Sequence, residues 1–65
     1  MVIFNVAEYD FTFYVNGLAG DSWKLIGNNE AFDHVNGVEG EYNKIEGGDQ
    51  AFNLPAEAIR VWVRE

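Results

Sequence analysis

Turn-forming residues recur along this chain at intervals of about ten residues, and this spacing restricts the fold more than any other feature of the sequence. The turn signals are Asn16-Gly17, Gly27-Asn28-Asn29, Asn36-Gly37 and Gly47-Gly48-Asp49. Gly and Asn mark turns because both tolerate a positive φ. Short strands between closely spaced turns are typical of small β proteins, so we predict a mainly β fold.

Alternation of apolar and polar residues places strands between these turns. One apolar face is formed by Val2, Phe4 and Val6, and a second by Ile59, Val61 and Val63 at the end of the chain. Further strands are predicted at residues 11–15, 23–26 and 38–46 and around Phe52 and Leu54. The apolar phase shifts between the first two strands, which predicts a turn or a bulge at Glu8-Tyr9-Asp10.

Two short helical turns are expected between the strands. Pro55-Ala56-Glu57-Ala58 predicts one of them, because proline suits the first position of a helix. Residues 29–35 predict the other, with Asn29 as its N-cap and apolar positions at helical spacing.

A resemblance to a known fold supports this outline. Phe52-Asn53-Leu54-Pro55-Ala56-Glu57-Ala58-Ile59 resembles the end of an SH3-like barrel, and Tyr9-Asp10-Phe11 resembles an early segment of that fold. The resemblance implies a small five-stranded SH3-like barrel, and a curved antiparallel sheet is the alternative. It concerns the fold alone, so no binding residues are carried over from it.

Length and charge limit the classes of partner. The chain has 65 residues, which predicts one small acidic β-rich domain over residues 1–65. Its net charge is −7, with eleven acidic and four basic residues. Four Lys and Arg residues cannot build an extended phosphate-binding patch. Direct binding to nucleic acid or to an anionic membrane is therefore not expected. The charge suits a basic partner protein, or it serves solubility alone.

Cysteine usage and the N-terminal residues predict a cytoplasmic protein. No cysteine is present, which removes disulfides and thiolate metal sites. The first five residues contain no basic region of a signal peptide, and no apolar run reaches transmembrane length. Chains of this size often gain stability from a partner subunit, so a homo-oligomer is also compatible with the sequence.

Residues for catalysis or metal binding are sparse. Ser22 and His34 are the single serine and histidine, and no Gly-x-Ser-x-Gly motif surrounds Ser22. The oxygen-rich stretches 28–30 and 46–49 suit turns better than a calcium loop. Glu39 and Glu41 are predicted to share one face of an exposed strand, where no sugar cleft is expected. We therefore expect no enzymatic activity, no metal and no cofactor.

Aromatic and acidic side chains suggest protein binding instead. The chain carries more large amphipathic rings than a small core hides, namely Tyr9, Tyr14, Trp23, Tyr42 and Trp62. Trp62 stands between Arg60 and Arg64, opposite the apolar face of the last strand, where it serves either as a structural partner for arginine stacking or as an anchor of an interface.

We predict a non-catalytic protein-binding regulator or inhibitor. Its two acid pairs are Glu8/Asp10, provided that no turn falls between them, and Glu39/Glu41. They would imitate phosphates on a basic, nucleic-acid-binding protein surface, as small acidic proteins of phages and mobile elements often do. The predicted partner-binding residues are Glu8, Asp10, Glu39, Glu41, Tyr42 and Trp62. Acids gathered on one face would favour mimicry, and scattered acids would favour solubility. The alternative is a homo-oligomeric assembly module whose spare aromatic residues bury in a self-interface.

Overall fold

The computed structural model describes residues 1–65 and contains six strands and no helix. The strands are β1 (Val2–Phe4), β2 (Phe11–Leu18), β3 (Trp23–Gly27), β4 (Lys44–Ile45), β5 (Gly48–Leu54) and β6 (Ile59–Arg64). A four-stranded antiparallel sheet has the order β1-β6-β3-β4, and β2 and β5 form a second antiparallel sheet. The prediction of a mainly β fold is confirmed. The chain has no helix that could cross a membrane.

The sheets do not close into a barrel. β1 and β2 follow each other in the chain but belong to different sheets, and no Cα of β1 lies within 8 Å of a Cα of β2. The chain bends at residues 7–9 between them, as the phase shift at Glu8-Tyr9-Asp10 predicts. The five-stranded SH3-like barrel is therefore not confirmed, because six strands form two separate sheets.

A small apolar core joins the two sheets. Its fully buried members are Leu25 and Trp62 from the larger sheet and Phe52 and Leu54 from β5. The rings of Phe52 and Trp62 pack with their centroids 4.9 Å apart. The Trp62 indole N–H donates to the backbone carbonyl of Tyr42 at 2.9 Å, so the one polar atom of this ring is satisfied inside the fold.

The buried face of β1 and β6 is the opposite of the predicted one. The outer face carries Val2, Phe4, Ile59, Val61 and Val63, which pair or neighbour one another across the two strands. Ile3 and Trp62 point inward instead, and Trp62 is 1% exposed. The prediction that Trp62 lies outside, opposite the Ile59, Val61 and Val63 face, is wrong. Trp62 has the larger ring to bury and a hydrogen-bond acceptor inside for its N–H.

The predicted helical turn at residues 55–58 does not form. Glu57 has a φ of 55°, which lies outside the right-handed helical region. Asn29 holds this turn from the side: its amide nitrogen donates to the Glu57 carbonyl at 3.0 Å, and its Oδ1 accepts the Ile59 N–H at 2.8 Å. Asn29 is therefore a bridge between two loops and not the N-cap that the sequence predicts.

Residues 29–35 also form turns in place of a helix. Asn28 Oδ1 accepts the backbone N–H of Glu30 at 2.8 Å, and Asp33 Oδ1 accepts those of Val35 and Asn36 at 3.0 Å each. Short polar side chains compete in this way with the hydrogen bonds of a helix.

The predicted strand over residues 38–46 shortens to β4. Tyr42 has a φ of 63° and Gly40 a φ of 135°, and neither value fits a strand. Glu39 and Glu41 consequently lie in the loop before β4, so the prediction that they share one face of a strand is wrong. Asn16-Gly17, predicted as a turn, lies inside β2 where its pairing with β5 shifts register.

Candidate functional site

An apolar groove of about 190 Å³ lies between the N-terminal segment and β2. Its walls are formed by Phe4, Asn5, Val6, Ala7, Tyr9, Phe11 and Phe13. Four of these side chains, Phe4, Val6, Tyr9 and Phe11, are between 46% and 78% exposed. Single exposed apolar residues are ordinary, whereas contiguous apolar patches are frequent at interaction sites, so this groove is the candidate site.

Asn5 fixes the path of the chain along this groove. Its side chain is 1% exposed, and its amide nitrogen donates to the carbonyls of Tyr9 at 3.0 Å and Pro55 at 2.9 Å. Its Oδ1 accepts the N–H of Ala7 at 3.0 Å. Because Asn5 points inward, its two neighbours along the extended chain point outward, which leaves their apolar side chains at the groove.

β2 supplies the opposite wall of the groove. Phe11 and Phe13 lie two residues apart and therefore on one face of the strand, and their ring centroids are 5.0 Å apart. Phe13 is half-buried against the core, whereas Phe11 is exposed. The groove is thus anchored to the core at one end and open at the other.

Three acidic residues lie next to the groove lining in the chain or through a backbone hydrogen bond, and we call Glu8, Asp10 and Glu57 the acidic rim. Glu8 and Asp10 are both exposed and alternate with the lining residue Tyr9. The Glu57 N–H donates to the Ala7 carbonyl at 3.2 Å, which brings a third acidic residue to the same end. None of the four basic residues lines the groove. They lie on β3, β4 and β6 and are Lys24, Lys44, Arg60 and Arg64.

The two predicted acid pairs are not brought together. Glu8 and Asp10 follow β1, whereas Glu39 and Glu41 precede β4, and β1 and β4 form opposite edges of the four-stranded sheet. Glu39 lines a separate small cleft beside Lys24. The acids therefore do not form one continuous row.

The two predicted aromatic anchors have structural contacts. Trp62 lies in the core, where a partner cannot reach it while the fold is intact. Tyr42 is half-buried, and its hydroxyl accepts the Asn53 N–H at 3.0 Å. Its ring meets that of Phe52 edge-on, with centroids 5.2 Å apart. Among the amphipathic rings that the sequence singles out, Tyr9 and Tyr14 are the exposed ones.

A second, larger cleft of about 290 Å³ is polar. Its lining is Asn28, Asn29, Glu30, Pro55, Ala56, Ala58 and Arg60. Asn29 Oδ1 already accepts the Ile59 N–H and Arg60 Nη1, the latter at 3.2 Å, so its polar atoms are used by the fold. No group of His, Cys, Asp or Glu side chains is placed to hold a metal ion.

The carboxyl group of Asp33 is perturbed by its surroundings. The backbone N–H groups of Asn36 and then Val35 lower the pKa of Asp33, because they donate to its carboxylate in an exposed turn. These contacts cap a turn, and Asp33 lines neither the groove nor the polar cleft.

Comparison with known proteins gives no match: no family model fits the chain, and no curated protein or solved structure is significantly similar to it. The groove and its acidic rim are therefore the features on which a functional proposal rests.

Sequence reasoning missed the groove residues Phe4, Val6 and Phe11 because it assigned their alternating pattern to the core. A signal was available in residues 2–6, where Ile3 makes the opposite phase apolar as well. When both phases of a short strand are apolar and the core is small, one phase is left at the surface.

Proposed function

We propose that this chain is a non-catalytic protein-binding regulator or inhibitor that docks on a basic segment of a partner protein through the apolar groove. The observation that supports this function is the exposed group Phe4, Val6, Tyr9 and Phe11 beside an acidic rim. Burying apolar surface contributes about 25 cal/mol per Å², and aromatic rings are frequent anchors of interfaces.

The acidic residues have a distinct part in this proposal. Glu8 and Asp10 would attract a basic partner and orient it on the groove, which raises the association rate and makes it sensitive to salt. Mimicry of a row of phosphates would require a partner that spans both edges of the larger sheet, since Glu39 and Glu41 lie at the far edge. We therefore propose acidic steering in place of phosphate mimicry.

Capture of partners from a lysate of the host tests the proposal. The tagged chain is compared with Val6→Ser/Tyr9→Ser, which removes two exposed groove residues at small cost to stability. The matched control is Phe32→Ser/Val35→Ser, which removes two equally exposed apolar side chains that do not line the groove.

We expect the wild type and the control to capture the same partner. The groove variant should bind that partner at least about tenfold more weakly, which corresponds to roughly 1.4 kcal/mol of binding free energy. Raising the salt concentration should weaken capture by the wild type, because it screens the acidic rim. Equal capture by the groove variant would contradict the proposal.

A homo-oligomeric assembly module is the second candidate function. The outer face of β1 and β6 favours it, because Val2 and Val63 on that face are exposed. This function predicts a native mass that rises with protein concentration and falls in Val2→Ser/Val63→Ser. A constant monomer mass would remove this candidate and leave the groove proposal intact.

A further inference from the structure

We infer that the groove receives an extended segment of the partner, which pairs as an additional strand with the free edge of β2. This inference rests on the proposed function and names the conformation and chemistry of the segment that binds. Its basis is the backbone hydrogen bonding of β2 together with the charge of the groove rim.

The pairing of β2 with β5 leaves alternate backbone groups of β2 unused. Thr12 lies opposite Asn53 in the antiparallel ladder, and the Asn53 N–H donates to the Tyr42 hydroxyl at 3.0 Å. Asn53 therefore directs its N–H away from β2, so Thr12 and Asn53 form a non-hydrogen-bonded pair. Hydrogen-bonded and non-hydrogen-bonded pairs alternate along an antiparallel ladder, so Tyr14 and its partner Ala51 also form a non-hydrogen-bonded pair.

Thr12 and Tyr14 consequently present an N–H and a carbonyl each along the outer edge of β2. The hydrogen bonds outside the strand pairings include none from these two residues. Natural proteins blunt such edges with Lys, Pro or an early bulge. Residues 11–15 contain no Lys and no Pro, and the bulge begins only after Val15.

The free edge and the apolar groove are parts of the same strand. Phe11 and Phe13 line the groove, and they alternate with Thr12 and Tyr14, whose backbone groups are free. An added strand would gain main-chain hydrogen bonds from the edge and apolar contacts from the groove, which is the way that exposed sheet edges recognise extended peptides.

β1 does not occupy the free edge of β2. No Cα of β1 lies within 8 Å of one in β2, although Phe4 and Phe13 line the same groove. Neighbouring strands lie about 4.8 Å apart, so a separation above 8 Å shows that the outer backbone groups of β2 are not paired with β1. Phe4 also directs its backbone groups away from β6, because its neighbour Asn5 uses its N–H toward Ala58 at 2.8 Å.

Charge indicates the composition of the segment. Glu8 and Asp10 flank the groove residue Tyr9 and no Lys or Arg lines the groove, so a segment that alternates apolar and basic residues fits both features. A second copy of the chain fits less well, because two chains of charge −7 repel each other. The one strand of this chain with that pattern is β6, which is already paired on both sides.

Selection from a random library of twelve-residue peptides tests the inference on the full chain, with counter-selection on Val6→Ser/Tyr9→Ser. We expect enriched peptides to alternate apolar residues with Lys or Arg. Two sets of N-methylated peptides are then compared, one modified at the odd and one at the even residues. Affinity should fall at least tenfold in the set whose N–H groups face β2 and stay unchanged in the other set, because only one edge of an added strand faces β2.

Substitutions at Thr12, on the free edge of β2, provide a second test of the inference. Thr12→Pro removes only an outward N–H, a position at which an edge strand tolerates proline, and should weaken peptide binding at least tenfold. Thr12→Val retains that N–H and should bind normally. In the wild type, bound peptide should slow amide hydrogen exchange at Thr12 and Tyr14 at least tenfold, which tests the edge even where Thr12→Pro does not fold.

Enriched peptides with helical spacing, or with affinity that N-methylation leaves unchanged in both phases, would overturn strand addition and leave the groove as a binding site. A library that yields no groove-dependent peptide would also overturn it, and capture from the lysate would then decide the proposed function independently. Slower exchange at Thr12 and Tyr14 that grows with protein concentration and needs no peptide would assign the edge to a second copy instead.

Discussion

At the scale of single residues, Asn5 has the largest influence on the site. It is the one buried polar residue of the fold, and it connects the bend after β1 to the end of β5 through the Tyr9, Leu54 and Pro55 carbonyls. A buried amide is favourable only when its hydrogen bonds are made, and here both ends of the amide have partners. The position of the groove wall depends on this side chain.

Replacement of Asn5 should therefore be costly. Asn5→Ala leaves the Ala7 N–H and several carbonyls without their partner, and we expect a loss of about 2–4 kcal/mol in the free energy of unfolding. Urea denaturation followed by tryptophan fluorescence measures it. Asn53→Ala, at an exposed position of β5, is the control and should change stability by less than about 0.5 kcal/mol. A similar small loss for Asn5→Ala would show that Asn5 does not hold the bend.

The identity of the buried residues was only partly predictable at this scale. Alternation reveals two faces of β1 and β6 but not which one is inside, because both carry apolar residues. The choice is made by contacts distant in sequence, such as the bond from Trp62 to the Tyr42 carbonyl and the packing of Trp62 on Phe52. Asn5 in phase with Ile3 makes the inner face look polar, although its amide is fully satisfied inside.

At the scale of elements, the segment between β3 and β4 is held by side chains in place of regular structure. Asp33 accepts two backbone N–H groups at the start of a turn, and Lys24 Nζ donates to the Val35 carbonyl at 3.0 Å. The lowered pKa of Asp33 reports the same contacts, since donors to a carboxylate favour its charged form.

The turn at Asp33 should respond to acid. Because folding lowers the pKa of Asp33, the charged carboxylate stabilises the turn above the ordinary pKa of an aspartate, and this contribution is lost as pH falls through the lowered pKa. An NMR pH titration should show the amide signals of Val35 and Asn36 moving together in that range. Asp33→Asn should abolish the shared transition, and its persistence in this variant would contradict the assignment.

Strands were more predictable than the connections between them. Residues 11–15, 23–26 and 59–63 all fall in strands, because apolar alternation and β-branched or aromatic residues act locally. The predicted helical turns failed because Asn28 and Asp33 use their side chains as backbone acceptors. The predicted strand over residues 38–46 failed at Tyr42, whose positive φ accompanies contacts with β5 and β6.

At the scale of the whole molecule, a small core is opposed by a large net charge. Ten of the 65 residues are buried, while the net charge is −7, so repulsion between acids opposes a modest hydrophobic contribution. The acids are spread over opposite edges and loops of the fold. Their mutual repulsion is therefore long in range and sensitive to salt.

Salt should stabilise the protein. Raising ionic strength from about 0.01 M to 0.15 M shortens the screening length from about 30 Å to 8 Å, and we expect the thermal midpoint to rise by roughly 4 °C. Glu39→Lys/Glu41→Lys changes the net charge from −7 to −3, because each substitution adds two positive charges. Calorimetry should show a smaller rise of the thermal midpoint with salt in this variant. An equal rise in the variant and the wild type would exclude repulsion between acidic residues as the cause of the salt effect.

The candidate site was predictable in charge and only partly in shape. Glu8 and Asp10, predicted as partner-binding residues from their sign and spacing, flank the groove residue Tyr9 in the chain, and their role in binding stays a prediction. The groove itself arises because β1 and β2 enter different sheets, which depends on pairings between residues far apart in sequence. Glu39, Glu41, Tyr42 and Trp62 lie outside the groove for the same reason.

The open groove also affects how folding of this protein can be followed. Dyes that fluoresce on exposed apolar surface are commonly used to detect loosely packed states, and an uncharged dye avoids repulsion by the acidic rim. With Phe4, Val6, Tyr9 and Phe11 exposed around one groove, the native chain already offers such a dye a place to bind. A bright dye signal would therefore accompany the correctly folded protein, and its quenching would report that the groove has been filled.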